Sequence, residues 1–265
     1  STHCISSAAS DVYKRQVGSS LFAASVSSST LMGHSGEGFI SGIAVFNYNV
    51  GAIFVIIFVS LFFLPFYIKS GIYTIPEYLG RRFDNRSRKY FSFITIIGNV
   101  FLDAGAALYT GALILKIIFP EIDMMWIIIG MALMAGTYTI IGGLSSAINA
   151  DMIQSIILIA GSVLLSIFCF NSVGGWENFV EHFHDGVWLN LIRPNSDTTV
   201  PWFSIFLSIP ILGFYFWGNN QVIVQRVMSA KTVNEGRLGF LFVAFLYVFT
   251  LFIFIAPGMV GLSLI

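Results

Sequence analysis

Between Gly18 and Gly38 the chain reads GSSLFAASVSSSTLMGHSGEG, and Ser25, Ser27, Ser28, Ser29 and Thr30 crowd its centre. Small residues permit close helix packing, but hydroxyls at this density point further, to a segment lining a polar cavity. A second concentration lies at 213–221, where Gly213 and Gly218 flank Phe214, Tyr215, Phe216 and Trp217, and Asn219, Asn220 and Gln221 follow. Adjacent amides offer donors and acceptors to a ligand, or to backbone freed from a helix. Two carboxylates stand inside apolar sequence: Asp103 in GNVFLDAGAALYTGAL and Asp151 in INADMIQ. A charge at membrane depth costs ~2.5–3.5 kcal/mol on insertion scales, so each acid implies a partner, water or a function. For Asp103 the bland alternative is an interhelical hydrogen bond or ion pair. For Asp151 it is an acid complementing a helix N-terminal macrodipole at the interface. His34, beside Gly33, reads as a packing or interfacial histidine rather than a proton relay. There is no nucleophile–base pair, metal-ligand spacing or phosphate-cradling glycine loop. Cys4 and Cys169 are far apart and form no CxxC, so neither a disulfide scaffold nor a zinc site is implied. The chemistry is that of binding, not of an enzyme.

The elements that must position these groups follow from composition. Charged residues are 10% of the chain and hydrophobic ones 56%, with 27 Phe. A soluble domain of 265 residues cannot solvate its surface with so few charges. The balance of 13 basic against 13 acidic residues leaves no excess to neutralise phosphates, so nucleic acid is excluded as a partner. The remaining class is an all-α polytopic membrane protein with the lipid bilayer as its solvent. About seven stretches are long and apolar enough to span: 17–36, 39–67, 91–118, 124–142, 151–171, 202–224 and 237–264. Continuous rather than alternating apolar runs exclude a β-barrel. Lys69, Arg81, Arg82, Arg86, Arg88 and Lys89 lie between the second and third spans, Arg226, Lys231 and Arg237 near the sixth and seventh, and Lys14 and Arg15 before the first. The opposite loops hold Glu37, Glu121, Asp123, Glu177, Glu181, Asp185 and Asp197. The N-terminus and the 68–90 loop are therefore expected in the cytoplasm of a multi-pass cell-membrane protein, and the 172–200 loop outside. Trp176 and Trp188 fit interfacial anchoring there. Residues 1–16, STHCISSAASDVYKRQ, differ from the rest in composition and read as a non-native or disordered segment ahead of the domain at 17–265.

Interrupted helices at the start of each of two halves are the sequence pattern of a transporter binding site. Here the first and sixth spans are interrupted, the spacing of two five-helix inverted repeats. Four segments, in order, then resemble the sodium/solute symporter family and, within it, the sodium/glucose cotransporter branch. They are GIYTIPEYLGRRFD at 71–84, TYTIIGGLSSAINADMIQSIILIAGS at 137–162, VGGWENF at 173–179 and YFWGNNQVIVQRVMSAKTVNEGRLG at 215–239. The resemblance covers 17–265 and implies the LeuT-type fold of ten core helices. This chain is expected to hold the first repeat and the opening two helices of the second, a partial inverted-repeat fold.

The resemblance also implies a site. Its main sodium ion rests on backbone carbonyls of Ala23 and Val26, with hydroxyl partners expected beyond residue 265; unwound carbonyls are hard oxygen ligands suited to a hard cation. Asp151 falls at an acid that relatives use near the cation pathway. Among solute contacts, Ser25 and Thr30 stand where sugar-transporting relatives have an asparagine and another polar residue. Asn49 replaces a glutamate, Phe216 a gating tyrosine and Tyr247 a lysine, while Trp217 is retained. Those losses deplete the hydrogen bonding that a hexose needs. Ser25, Ser27 and Thr30 are instead similar to the hydroxyl-rich first helix of the sialic-acid-transporting branch. Asp103 matches no acid expected in the sugar branch and marks a difference in substrate. The function implied is sodium-coupled import of a small polar organic solute such as a sugar, sialic acid or inositol by alternating access, with sodium as coupling ion and no other cofactor. The alternative is a symporter-like sensor domain of a larger signalling protein.

Overall fold

A computed structural model describes residues 18–264 except Tyr73, His184, Asp185, Ser229 and Lys231, and leaves out the side chains of Leu144 and Ser145. The segment 1–16, with Lys14 and Arg15, and the charges of Asp185 and Lys231 lie outside the described residues. The described chain is helix, turn and loop, with one isolated bridge between Arg193 and Pro201.

Helix α1 covers 18–25 and α2 Ser28–Ser41. Gly42 ends α2 with φ 68° and ψ −150°, and a 3₁₀ turn, Gly42–Val45, leads into α3 at 46–70. Then come α4 (Ile75–Arg82), α5 (Asn85–Ile118), α6 (Met124–Gly143) and α7 (Ser146–Ser172). Gly143, at φ 60° and ψ −156°, separates α6 from α7. A short α8 (Trp176–Phe183) precedes α9 (Trp202–Asn219), α10 (Gln221–Met228) and α11 (Val233–Ser263). Among the described residues, six stretches are long and apolar enough to cross a membrane, by length and composition, where seven spans were expected. The difference lies at the start. The first expected span is split at Val26–Ser27, and its second half runs on through Gly42 into α3 as one stretch, Ser28–Ser70.

Local sequence accounts for the helix starts. Thr74 and Thr232 each accept from the amide three residues on, Glu77 and Glu235, both at 3.2 Å; both follow the Thr-x-x-Glu capping pattern. Asp84 caps α5 through Ser87 N at 2.7 Å and Asp123 caps α6 through Met125 N at 2.8 Å.

Proline accounts for two of the wide, π-type turns. Pro257 has no N–H for the carbonyl four residues back, and Leu251–Ile255 opens into a π turn. Ser35 of α2 donates to Phe254 O at 2.9 Å and Ser166 of α7 to Phe252 O at 2.6 Å, on either side of that carbonyl. Pro65 follows the π turn Val59–Phe63 of α3. There Arg237 of α11 donates to Ser60 O at 3.3 Å and Leu61 O at 3.5 Å. The same serine side of α2 lies hard against α11: a Cβ on Gly258 runs into the Ser35 backbone, and one on Gly38 into the Ile255 carbonyl. Around this seam Phe22, Trp217, Phe240 and Phe254 form the buried core.

At the opposite end from α4, the loop after α8 is fastened over Gly42. Trp188, half-buried, lies over that glycine through its backbone. Arg193, 6% exposed, donates to the Ser41 carbonyl and to Asp197 at 3.0 Å, and Asn47 donates to Leu191 O at 2.6 Å. The amides of Thr199 and Val200, then Arg193, hold the Asp197 carboxyl below its ordinary value of 3.8.

Two outcomes are expected. Gly258→Ala should destabilise the detergent-solubilised protein by ~1–3 kcal/mol through overpacking against Ser35. Gly33→Ala, whose Cβ meets nothing within 4 Å, should be neutral or stabilise by ~0.5–1 kcal/mol in thermal melts. Because the Asp197 value is depressed on folding, its contribution is present above 3.8 and lost as pH falls through the lower folded value. Protease nicking of the 186–201 loop should therefore rise only in strong acid, and Asp197→Asn should flatten that rise.

Candidate functional site

Both interruptions expected from the sequence are present. The first lies at Val26–Ser27. Val26 N donates to Phe22 O at 3.0 Å and Ala23 O at 3.3 Å, and Ser27, extended at φ −95° and ψ 172°, caps α2 by accepting from Thr30 N at 3.3 Å. The hydroxyls knit the break together: Ser27 to Ser29 at 2.7 Å, Ser27 to Thr30 at 3.2 Å, and Ser25 to Phe22 O at 2.8 Å. Ser28 turns away, donating to Ala107 O of α5 at 2.7 Å and lying 2.9 Å from Thr110 Oγ1.

The second interruption follows a π turn, Tyr215–Asn219, at Asn220 with φ −66° and ψ 121°. Asn220 Oδ1 accepts from Val222 N at 2.9 Å and so starts α10. Tyr67 of α3 donates to the Gly218 carbonyl at 3.1 Å, and Gln221 Oε1 accepts from Ile75 N of α4 at 3.3 Å. The adjacent amides thus serve freed backbone, one of the two uses their position suggested.

Between the two breaks lies a cavity of about 270 Å³. Ser25, Ser27, Thr30, Asp103 and Phe216 all line it, joined by Ser29 and Asn220, which complete the polar wall. Asp103 reaches it from the π turn Gly98–Ala104 of α5. Three other anticipated solute contacts lie elsewhere. Trp217, 2% exposed, is behind the wall in the core, edge-on to Tyr247 at 5.5 Å. Tyr247 is also buried, within reach of the Ser25 hydroxyl. Asn49 sits between α2 and α3, its Oδ1 3.1 Å from His34 Nε2, which gives that histidine its packing role. A large apolar ring deep in a broken helix is drawn to the core by the area it buries. Sequence alone does not reveal which way that ring turns.

Asp151 is away from the cavity, in the second turn of α7 and beyond the first-turn reach of a macrodipole. Its Oδ2 accepts from Arg226 Nη2 at 2.8 Å, Arg226 Nε at 3.0 Å and Ser20 Oγ at 2.8 Å. Both charged side chains are 13% exposed. This cluster joins α1, which precedes the first break, α10, which follows the second, and α7, the helix after Gly143. Neither Ser20 nor Arg226 stood out beforehand, though Arg226 is the one basic residue of the short amphipathic QVIVQRVM.

A model described as the sodium:solute symporter family matches residues 7–265. The chain belongs to that family. Among curated relatives, the sodium/glucose cotransporter of Vibrio parahaemolyticus is 33% identical over 91% of this chain and 46% of its own length. Sodium/glucose cotransporter 1 of Oryctolagus cuniculus is 31% identical over 92% of this chain and 40% of its own, and sodium/myo-inositol cotransporter 2 of Bos taurus 31% over 92% and 39%. The chain therefore spans less than half the length of these relatives. A solved substrate-bound, outward-open structure of a Na⁺-coupled sialic acid symporter superposes with TM-score 0.83 at 26% identity, over 94% of this chain and 53% of that one. The symporter's fold is the LeuT-type fold, of which this chain holds part, as the resemblance implied.

Removing Arg226 leaves a nearly buried carboxylate without its main counter-charge. Arg226→Ala should destabilise the protein by ~3–5 kcal/mol, and Asp151→Asn in the same chain should restore much of that loss. Thermal melts of the two single variants and the double variant measure the coupling.

Proposed function

We propose that the whole protein is a sodium-coupled secondary symporter that imports a small polar organic solute across the cell membrane by alternating access. The observation that carries this reading is the polar cavity lying between two helix interruptions in a chain of the sodium:solute symporter family. Backbone unwound at membrane depth is tolerated where it lines such a cavity, and its carbonyls then serve as ion ligands. Sodium rests on the carbonyls of Ala23 and Val26. The solute sits against Ser25, Ser27, Thr30, Asp103 and Phe216, with Trp217 and Tyr247 backing the wall and Asn49 steadying α2 through His34.

In this reading Asp151 lies on the cation's route. Its carboxylate is held by Arg226 and Ser20, an ion pair that closes the end of the molecule where α1, α7 and α10 meet. A sodium ion arriving there competes with Arg226 for the same oxygen, which couples ion movement to separation of those helices. That end faces the cytoplasm, with the N-terminus and the 68–90 loop, because the basic residues gather there. The cavity sits at the lower end of the size range of small-molecule sites, in keeping with a compact solute.

The test is uptake by proteoliposomes containing the full reading frame. An inward sodium gradient should drive accumulation of a member of a panel of sugars, inositol and sialic acid, and collapse of the gradient should abolish it. Asp151→Asn should raise the sodium concentration for half-maximal uptake by about tenfold while shifting the solute dependence less. Uptake that proceeds equally without sodium would overturn the reading.

A further inference from the structure

We propose that the solute carries a cationic nitrogen, and that Asp103 is the residue that binds it; this rests on the cavity being the solute site. Asp103 is the one charged residue lining that cavity among the described residues. The other polar groups of the wall are neutral: the hydroxyls of Ser25, Ser27, Ser29 and Thr30 and the amide of Asn220. No ion pair or hydrogen bond within the described chain engages the Asp103 carboxylate. Arg226, one turn beyond the cavity-lining Val222, has its guanidinium on Asp151.

Asp103 is exposed in the described chain, and inside a membrane-spanning segment such a carboxylate calls for a counter-charge or water. The N-terminal ends of α2 and α10 approach the cavity, but Ser27 already accepts from Thr30 N and Asn220 from Val222 N. A protonated amine or quaternary ammonium on the solute supplies the missing counter-charge. Phe216, on the same wall, presents an aromatic ring of the kind that attracts such a group. The neutral hydroxyls bind the rest of a polyhydroxylated or small polar molecule. The same carboxylate repels a solute whose own charge is negative, so it selects against acidic sugars.

The carboxylate also stands at a distorted point of its helix. It belongs to the π turn Gly98–Ala104, which contains no proline to cause it. Wide turns of this kind recur at functional sites because they redirect one or two side chains without ending the helix. Here that redirection sets Asp103 and Ala106 on the cavity while Ser28 holds Thr110, one turn further on, against α2.

The proposal is tested with matched solute pairs in proteoliposomes of the full chain under an inward sodium gradient: glucosamine against glucose, and choline against 3,3-dimethylbutanol. The charged member of a pair should accumulate, and Asp103→Asn should reduce its uptake about tenfold or more while leaving the neutral member the same or improved. Accumulation of a neutral member with no response to Asp103→Asn would overturn the proposal and leave the symport reading intact. So would an Asp103→Asn variant that changes only the sodium dependence, since the acid would then hold the ion. Should no member accumulate, the symport reading is at fault, and a second measurement decides on Asp103 alone. In a Cys4→Ser, Cys169→Ser background, Thr30→Cys is modified with methanethiosulfonates bearing either a trimethylammonium or a sulfonate group. The cationic reagent should react several-fold faster than the anionic one, and Asp103→Asn should remove that preference. An unchanged ratio means that the carboxylate lends the cavity no negative potential, and the proposal fails.

Discussion

A carbonyl that loses its helical partner at membrane depth must find another donor inside the protein, and the helix pairings of this fold follow that requirement. With no water to accept the debt, a broken helix is viable only beside a side chain that completes it. Pro257 opens α11, and serines from α2 and α7 close on Phe254 and Phe252. Pro65 follows an opening in α3, and Arg237 arrives from α11. The Asn220 break exposes Gly218, and Tyr67 meets it from α3. Each of these three interruptions therefore specifies a neighbour. The packing of α3, α9 and α11, and of α2 on α11, is as much a pattern of polar rescue as of apolar burial.

The same requirement separates the two acids. Asp151 is satisfied within the chain: three donor atoms converge on one oxygen, and the cluster spans both broken segments. A partner so complete stabilises one arrangement of helices, and separating them exposes charge on both sides. Asp103 has the opposite character. It faces a polar space whose other groups are uncharged, so its balance is left to whatever enters. The first acid is satisfied inside the described chain, and the second is left open to the cavity.

Much of this was legible in the residues. The hydroxyl cluster at 25–30 and the amides at 219–221 mark both breaks, because few membrane helices tolerate such density without a cavity or freed backbone beside them. Thr74-x-x-Glu77 and Thr232-x-x-Glu235 mark helix starts through short-range hydrogen bonds that sequence spacing encodes directly. What was not legible is long-range or rotational. The partnership of Ser20, Asp151 and Arg226 joins three segments far apart in the chain, and no local pattern records it. Whether Trp217 turns toward the cavity or the core, and whether Asn49 reaches a solute or His34, depends on helix rotation. A π turn changes that rotation by an amount that periodicity does not predict. The division of the first span into short halves also explains why one stretch fewer reaches spanning length.

Those π turns bear on how such a chain tolerates change in length. Each behaves as a helix that has absorbed one extra residue, and one residue of α-helix is about 100° of rotation. The residues before and after Gly98–Ala104 are thus set on faces that a regular helix could not present together. Loss of a single residue from that turn would leave the hydropathy of α5 almost untouched and its length adequate for the bilayer. It would nonetheless swing Thr110 and Gly111 off Ser28 and α6, relative to the half of the helix that holds Arg86 and Tyr90. In α5, then, an insertion or deletion is a change of direction rather than of size. A one-residue gap in a comparison of such chains carries more structural meaning than several substitutions around it.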